Sequence, residues 1–80
     1  MHYVYLIASI ASPGVRYIGY TDDLRQRLID HNSGKNVSTA VHRPWRLCTY
    51  LALSTKSQAL AFERYLNSGS GHAFANNRLW

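Results

Sequence analysis

The stretch Arg16–His31, RYIGYTDDLRQRLIDH, predicts a β-strand that runs straight into an α-helix. Aromatic and β-branched residues favour a strand at its start, and Thr21, followed by two acids that complement the helix dipole, predicts the N-cap. On a helical wheel Arg27 and His31 lie one turn apart at the edge of the apolar stripe, whereas Arg25 points to another flank. A cation and an imidazole beside a strand tyrosine suit chemistry on a phosphate.

Two further strands are predicted around this stretch. Residues 3–9 are aromatic, aliphatic and small, and the turn signal Ser12-Pro13-Gly14 links them to a strand over residues 15–19 in an antiparallel hairpin. After a polar segment at residues 35–43, alternation over residues 46–53 predicts a third strand beside the hairpin. The sheet is therefore expected to be three-stranded and antiparallel.

About three helices are expected to flank this sheet. The first should end near Gly34, where glycine adopts the left-handed cap conformation. The second should run from a cap at Ser54 or Thr55 to about Asn67, and the third should follow a glycine-serine break, over residues 72–79. The predicted fold class is α/β (α+β), in a single compact domain.

Composition narrows the choice of partner and compartment. The 80 residues, 1–80, are expected to form one domain, and nine Lys and Arg against four Asp and Glu give a net charge of +5. This charge favours a polyanion, although it also fits a membrane surface. The single cysteine, Cys48, lies in an apolar run and is expected to be a buried, unreactive thiol. Because no signal-peptide pattern or membrane-spanning stretch is found, a cytoplasmic protein is expected.

Two tripeptides connect these elements to a known family. Tyr3-Val4-Tyr5 and, after the turn, Tyr17-Ile18-Gly19 resemble the pair that names the GIY-YIG nucleases, with Tyr3 standing where the glycine would be. Other segments resemble the small bacterial members in the same order, namely HNSGK at 31–35, RPWRL at 43–47 and ERYLNSGSG at 63–71. The resemblance spans nearly all of the chain and implies a metal-dependent DNA endonuclease.

Glu63 is the most informative residue in the second half of the chain. It is the only Glu, and no basic residue lies one helical turn away to pair with it. A carboxylate on an apolar stripe is costly unless a cation meets it, which leaves a long-range salt bridge, for instance with Arg27, or a metal. The family resemblance favours a metal-binding role for Glu63. Because no second carboxylate accompanies it, one Mg²⁺ or Mn²⁺ ion is expected.

The resemblance also implies roles for other side chains. Arg27 would bind the charge that develops on the phosphate, Tyr17 or Tyr5 would orient or deprotonate the attacking water, and His31 would relay the proton. Candidate substrate contacts are Lys35, His42 and Arg43 on the polar segment, His72 at the start of the last helix, and Asn77 or Asn76. For the basic residues of the polar segment, a solvated surface charge is an equal alternative.

The expected substrate is DNA that is single-stranded, flapped or branched, as in repair or DNA processing. No segment resembles a recognition helix for a major groove, and aromatics beside a basic loop suit the stacking of unpaired bases. Two other interpretations stay open: a catalytically inactive nucleic-acid-binding module on the same fold, and an interaction protein whose basic surface meets an acidic partner. No small-molecule cofactor is expected, and the sequence does not indicate an oligomeric state.

Overall fold

Three antiparallel strands form the centre of the fold in the computed structural model, which describes residues 1–80. The strands are His2–Ser9 (β1), Arg16–Thr21 (β2) and Trp45–Leu53 (β3). Their order is β2-β1-β3, so β1 is central and the other two are edge strands. Tyr5 at the middle of β1 lies opposite Gly19 on β2 and Tyr50 on β3. The three-stranded antiparallel sheet predicted from the sequence is confirmed.

Four helices pack around the sheet, one more than the sequence predicts. They are Leu24–Ser33 (α1), Val37–Ala40 (α2), Lys56–Leu66 (α3) and Gly69–Arg78 (α4). The additional helix α2 is a single turn inside the polar segment, too short to carry a periodic signal, with Asn36 as its N-cap. Helix α4 begins earlier than expected, at Gly69, because the Ser68 side chain accepts from the Gly71 amide and caps the helix there.

Helix α1 begins later than predicted, and the N-cap prediction at Thr21 is wrong. The cap is Asp23, whose carboxylate accepts a hydrogen bond from the Gln26 amide. Thr21 is the last residue of β2 instead, because the strand continues pairing with β1 up to that position. The predicted end of α1 is confirmed, since Gly34 adopts the left-handed conformation with a φ of 84°.

Two apolar cores cover the two faces of the sheet. On one face Val4 and Leu6 pack against α3 and α4. On the opposite face Tyr5 and Ile7 pack with Trp45 against α1. Because β1 is buried on both faces, its alternating residues enter different cores. The side of the strand that carries Tyr5 faces α1.

Two sequence expectations outside the core are also tested. Cys48 is a free thiol, but it is only half-buried rather than buried; it lies on β3 where the register with β1 shifts, and it has no partner on β1. None of the helices has the length and apolar character needed to span a membrane.

Candidate active site

A cleft of about 340 Å³ opens along β2, the edge strand of the sheet. Its lining is Arg16, Tyr17, Ile18, Glu63, Asn67, His72 and Trp80. Three of the site residues expected from the sequence, on β2, α3 and α4, therefore meet in one place: Tyr17, Glu63 and His72.

Glu63 enters the cleft from α3, half-buried and without an ion pair. Its Oε2 accepts a hydrogen bond of 2.7 Å from Nδ2 of Asn67, one helical turn further on. The only ion pair in the structure joins Lys35 to Asp30 at 4.0 Å, so the salt bridge between Glu63 and Arg27 is not formed. The carboxylate thus lies in the cleft without an ion-pair partner, and the one arginine in the lining, Arg16, is not paired with it.

The donor set suits a metal ion that keeps most of its own water. No group of three or more His, Cys, Asp or Glu side chains comes together in the chain, so a dedicated protein cage is absent. Mg²⁺ is usually bound through one or two carboxylates, with waters and phosphate oxygens completing its octahedral shell. A single carboxylate at Glu63, oriented by Asn67, fits that mode of binding.

Behind the cleft, a buried chain of hydrogen bonds leads from β1 to α2. The Tyr5 hydroxyl lies 2.8 Å from Nε2 of His31, and Nδ1 of His31 lies 2.7 Å from Oγ1 of Thr39. Thr39 donates in turn to the carbonyl of Asn36 at 3.4 Å. This direction assigns the imidazole proton to Nδ1, so that Nε2 accepts from Tyr5. Tyr5 and His31 are fully buried and Thr39 is nearly so, and the hydrogen bonds between them are therefore closed to solvent.

Burial and nearby charges set the protonation of His31 and Tyr5 in this chain of hydrogen bonds. Burial lowers the pKa of His31, the Arg27 cation lowers it further, and Asp30 opposes both, so the imidazole is neutral at pH 7. Burial raises the pKa of Tyr5 above its usual range, with Tyr17 adding to the rise and Arg27 reducing it. Tyr5 therefore keeps its proton at neutral pH and shares it with His31.

Tyr17 stands between the buried chain and the cleft. Its ring lies edge-on to His31, with 5.3 Å between the ring centroids, and 6.2 Å from the ring of Tyr5. This packing depends on Gly19, opposite Tyr5 in the sheet, where a Cβ would lie 2.5 Å from the Tyr5 hydroxyl and 2.9 Å from the Tyr17 ring. A glycine is therefore needed for the two tyrosines to approach each other.

The lining of the cleft includes three residues that the sequence analysis does not predict at the site, Arg16, Asn67 and Trp80, and Arg16 contacts the predicted candidate Asn76. The Arg16 guanidinium lies 4.5 Å above the centre of the Trp80 ring, and its Nη2 donates to Oδ1 of Asn76 at 2.9 Å. Asn77 is exposed and outside the cleft, whereas Asn67 lies inside it. The available sequence signal for Asn67 is its spacing of four residues from the glutamate, which places both on one helix face.

The other expected cations lie away from the lining of the cleft. Arg27 is half-buried on α1, near the buried tyrosine and histidine. Lys35 is exposed beside Asp30, and the Arg43 guanidinium packs against Gly34 at the end of α1. Arg27 thus belongs to the buried side of the site, while Lys35 and Arg43 both lie near the C-terminal end of α1.

The chain is similar to a known catalytic domain and to a group of bacterial proteins. The model of the GIY-YIG catalytic domain matches residues 1–75. A UPF0213 protein of Bacillus pumilus is 40% identical over 63 residues, which cover 78% of this chain and 62% of that protein. UPF0213 proteins of Staphylococcus saprophyticus and Staphylococcus epidermidis are 36% and 38% identical over 63 residues, which cover 78% of this chain and 74% of each relative. The chain thus spans less than two thirds of the Bacillus relative's length.

Proposed function

This chain belongs to the GIY-YIG catalytic-domain family of nucleases, and we propose that it is a divalent-metal-dependent DNA endonuclease acting on single-stranded, flapped or branched DNA. Nucleases of this family generally use a divalent metal. The observation that carries the proposal is the meeting of Tyr17 and Glu63 in one cleft, with the Tyr5–His31 pair directly behind. Phosphodiester hydrolysis needs an oriented water, stabilisation of the charge that builds on the phosphate, and help for the leaving oxygen.

Glu63 is the residue that would hold the ion, Mg²⁺ or Mn²⁺. When bound, the ion supplies a Lewis acid that polarises the phosphate and stabilises the leaving oxygen. Asn67 holds the carboxylate in one orientation through its hydrogen bond to Oε2. The carboxylate forms no ion pair with a protein cation, so its oxygens remain available to bind a metal ion.

Tyr17 is the tyrosine suited to contact the attacking water, because it lines the cleft while Tyr5 is fully buried. Tyr5 acts as a positioning residue, since its ring supports Tyr17 and its raised pKa keeps its hydroxyl protonated. Neutral His31 accepts the hydrogen bond of the Tyr5 hydroxyl through Nε2 and so fixes the orientation of Tyr5 behind Tyr17. The positive charge of Arg27 acts on both Tyr5 and His31, and it would reach the phosphate from the buried side of the site rather than from the lining of the cleft.

Unpaired DNA is the substrate that the surface favours. Tyr65 on α3 and Phe74 on α4 are 41% and 39% exposed, and their ring centroids lie 6.2 Å apart. Bases of a single strand stack on such aromatic faces with little sequence demand, and the net charge of +5 attracts the backbone. The free thiol of Cys48 is consistent with work on DNA in a reducing cytoplasm.

The test is a gel assay of matched single-stranded, duplex and flapped oligonucleotides with Mg²⁺, with Mn²⁺ and with chelator. Wild type is compared with Glu63→Gln, which removes the charge with little change of shape, and with Asp22→Asn, which removes an exposed acid outside the cleft. We expect metal-dependent cleavage that is lost in Glu63→Gln and kept in Asp22→Asn, with single-stranded or flapped DNA cut fastest.

Two results would contradict parts of the proposal separately. Cleavage that persists in chelator, or in a folded Glu63→Gln variant, would remove Glu63 as the metal-binding residue. Equal rates on a linear duplex and a single strand of the same sequence would remove the substrate preference. Binding without any cleavage by wild type would favour the inactive binding module.

A further inference from the structure

We propose that a second groove, between Arg16 and Arg46, binds the phosphate backbone of the DNA strand next to the cleavage site. This inference rests on the proposed function, since it describes how the substrate strand reaches the Glu63 cleft. The groove is about 690 Å³ in volume. Its lining is Ala8, Ser9, Ile10, Pro13, Gly14, Arg16 and Arg46.

The strand register places the two arginines on either side of one small residue. Ala8 of β1 lies opposite Arg16 on β2 and opposite Arg46 on β3. Directly opposed residues of an antiparallel sheet project on the same face, so the side chains of Arg16 and Arg46 leave the sheet on either side of the Ala8 methyl group. With neighbouring strands about 4.8 Å apart, the Cα atoms of the two arginines are separated by roughly 10 Å. A strand backbone can therefore lie across the sheet between them.

The charge of the groove is uncompensated. Neither Arg16 nor Arg46 forms an ion pair, and no acidic residue lines the groove. The contacts of Arg16 are with the neutral groups Trp80 and Asn76, which hold its guanidinium in place without neutralising it. A guanidinium binds phosphate oxygens through two parallel hydrogen bonds, and a pre-positioned one loses less entropy in doing so. The groove thus has the chemistry of a phosphate-binding track.

The groove is continuous with the cleft, and this relates it to the proposed cleavage reaction. Arg16 lines both the groove and the cleft that holds Tyr17 and Glu63. A strand bound by Arg46 and Arg16 is therefore led directly to the Glu63 carboxylate. Arg46 lies only in the groove, so its substitution tests the track without altering the lining of the cleft.

The experiment measures DNA binding without cleavage. In the Glu63→Gln background with chelator present, the Kd for a labelled single strand of about 12 nucleotides is measured by fluorescence anisotropy over a series of salt concentrations. Arg46→Gln is expected to weaken binding about tenfold, the effect of one charge-assisted hydrogen bond, and to reduce the slope of log K against log salt by about 0.7.

Two matched variants separate a local contact from general charge. Arg25→Gln removes the same charge from an exposed position on α1, outside both the groove and the cleft, and is expected to bind as the parent does. Arg46→Lys keeps the charge and is expected to keep the salt slope. Circular dichroism of each variant checks that the fold is unchanged.

The results that overturn the groove differ from those that overturn the nuclease. Unchanged binding in folded Arg46→Gln, equal weakening in Arg46→Gln and Arg25→Gln, or no DNA binding by the parent would remove the track. If wild type cleaves DNA while any of these three binding results is found, the proposed nuclease activity stands and only the phosphate-binding groove is excluded. Selective weakening in Arg46→Gln, with no cleavage by wild type, would keep the track as a DNA-binding site and remove the nuclease.

Discussion

The substitution Gly19→Ala tests how closely the two tyrosines of the site are packed. The added Cβ would lie 2.5 Å from the hydroxyl of Tyr5, 2.6 Å from its Cζ and 2.9 Å from Cε2 of Tyr17. Tyr5 has no room to withdraw, because it is fully buried and hydrogen bonded to His31. The tyrosines must therefore shift together, which moves the Tyr17 ring at the cleft.

The magnitude follows from these contacts. Overpacking of a core costs about 1–3 kcal/mol, and a buried imidazole nitrogen left without its hydrogen bond costs about 1–3 kcal/mol. Replacing glycine by alanine in a strand otherwise raises the free energy of unfolding by about 0.5–1 kcal/mol. We expect the free energy of unfolding of Gly19→Ala to fall by about 2–4 kcal/mol, which lowers Tm by roughly 10–25 °C for a domain of this size. Displacement of Tyr17 should also reduce the cleavage rate by about a hundredfold.

Thermal unfolding followed by circular dichroism, together with the cleavage assay below the Tm of the variant, measures both effects. Gly69→Ala is the matched control, because apart from its chain neighbours and its own helix backbone no atom lies within 4 Å of the added Cβ at this position in α4. It should leave Tm unchanged or slightly raised, since alanine favours a helix more than glycine does. A Tm for Gly19→Ala within about 2 °C of wild type, with full activity, would refute the close packing of the tyrosines.

Two further predictions concern the buried chain behind the cleft. Burial and Arg27 lower the pKa of His31 in the folded protein, so as the pH falls the unfolded protein takes up a proton at this residue first. The contribution of neutral His31 to the free energy of unfolding is therefore complete above about pH 6.5, and it is lost as the pH falls below that value. Urea unfolding across that range should show stability falling towards acid in wild type and a shallower fall in His31→Asn, and equal slopes would contradict the assignment. Thr39→Val leaves Nδ1 of His31 buried without an acceptor and should cost about 1–3 kcal/mol, whereas Thr39→Ser keeps the hydroxyl and should cost less. Equal urea midpoints for the two variants would show that the hydrogen bond contributes nothing.

Local patterns carry most of the fold prediction. The turn signal before β2, the glycine that ends α1 and the Thr55 cap of α3 all act within a few residues, and the structure confirms each of them. The N-cap prediction at Thr21 fails for a non-local reason, because pairing with Tyr3 on β1 keeps Thr21 in the strand. Helix α2 was not predicted, since one turn of four residues has no periodicity to detect.

For the candidate site too, the sequence predicts what depends on nearby residues and does not predict contacts between distant ones. Glu63 stands out in the sequence because it is the only Glu and has no local ion-pair partner, and the structure brings it to the cleft beside Tyr17. Asn67, which donates a hydrogen bond to the Glu63 carboxylate, is also close in sequence. Its role was not predicted, because a neutral amide four residues from a glutamate is not a distinctive sequence pattern. The burial of His31 against Tyr5 was not predicted, because the two residues are 26 positions apart.

The sequence by itself determined the order of the three strands and of the three longer helices, the family, and the chemical groups available to the site. These depend on residue type and short-range spacing, which act through backbone propensity, turns and caps. Only the tertiary structure decided that Tyr17 faces the cleft while Tyr5 is buried, that Gly19 makes room for both, and that Arg16 and Arg46 flank one alanine. Those relations depend on strand register, in which a shift of one residue moves every side chain to the opposite face of the sheet.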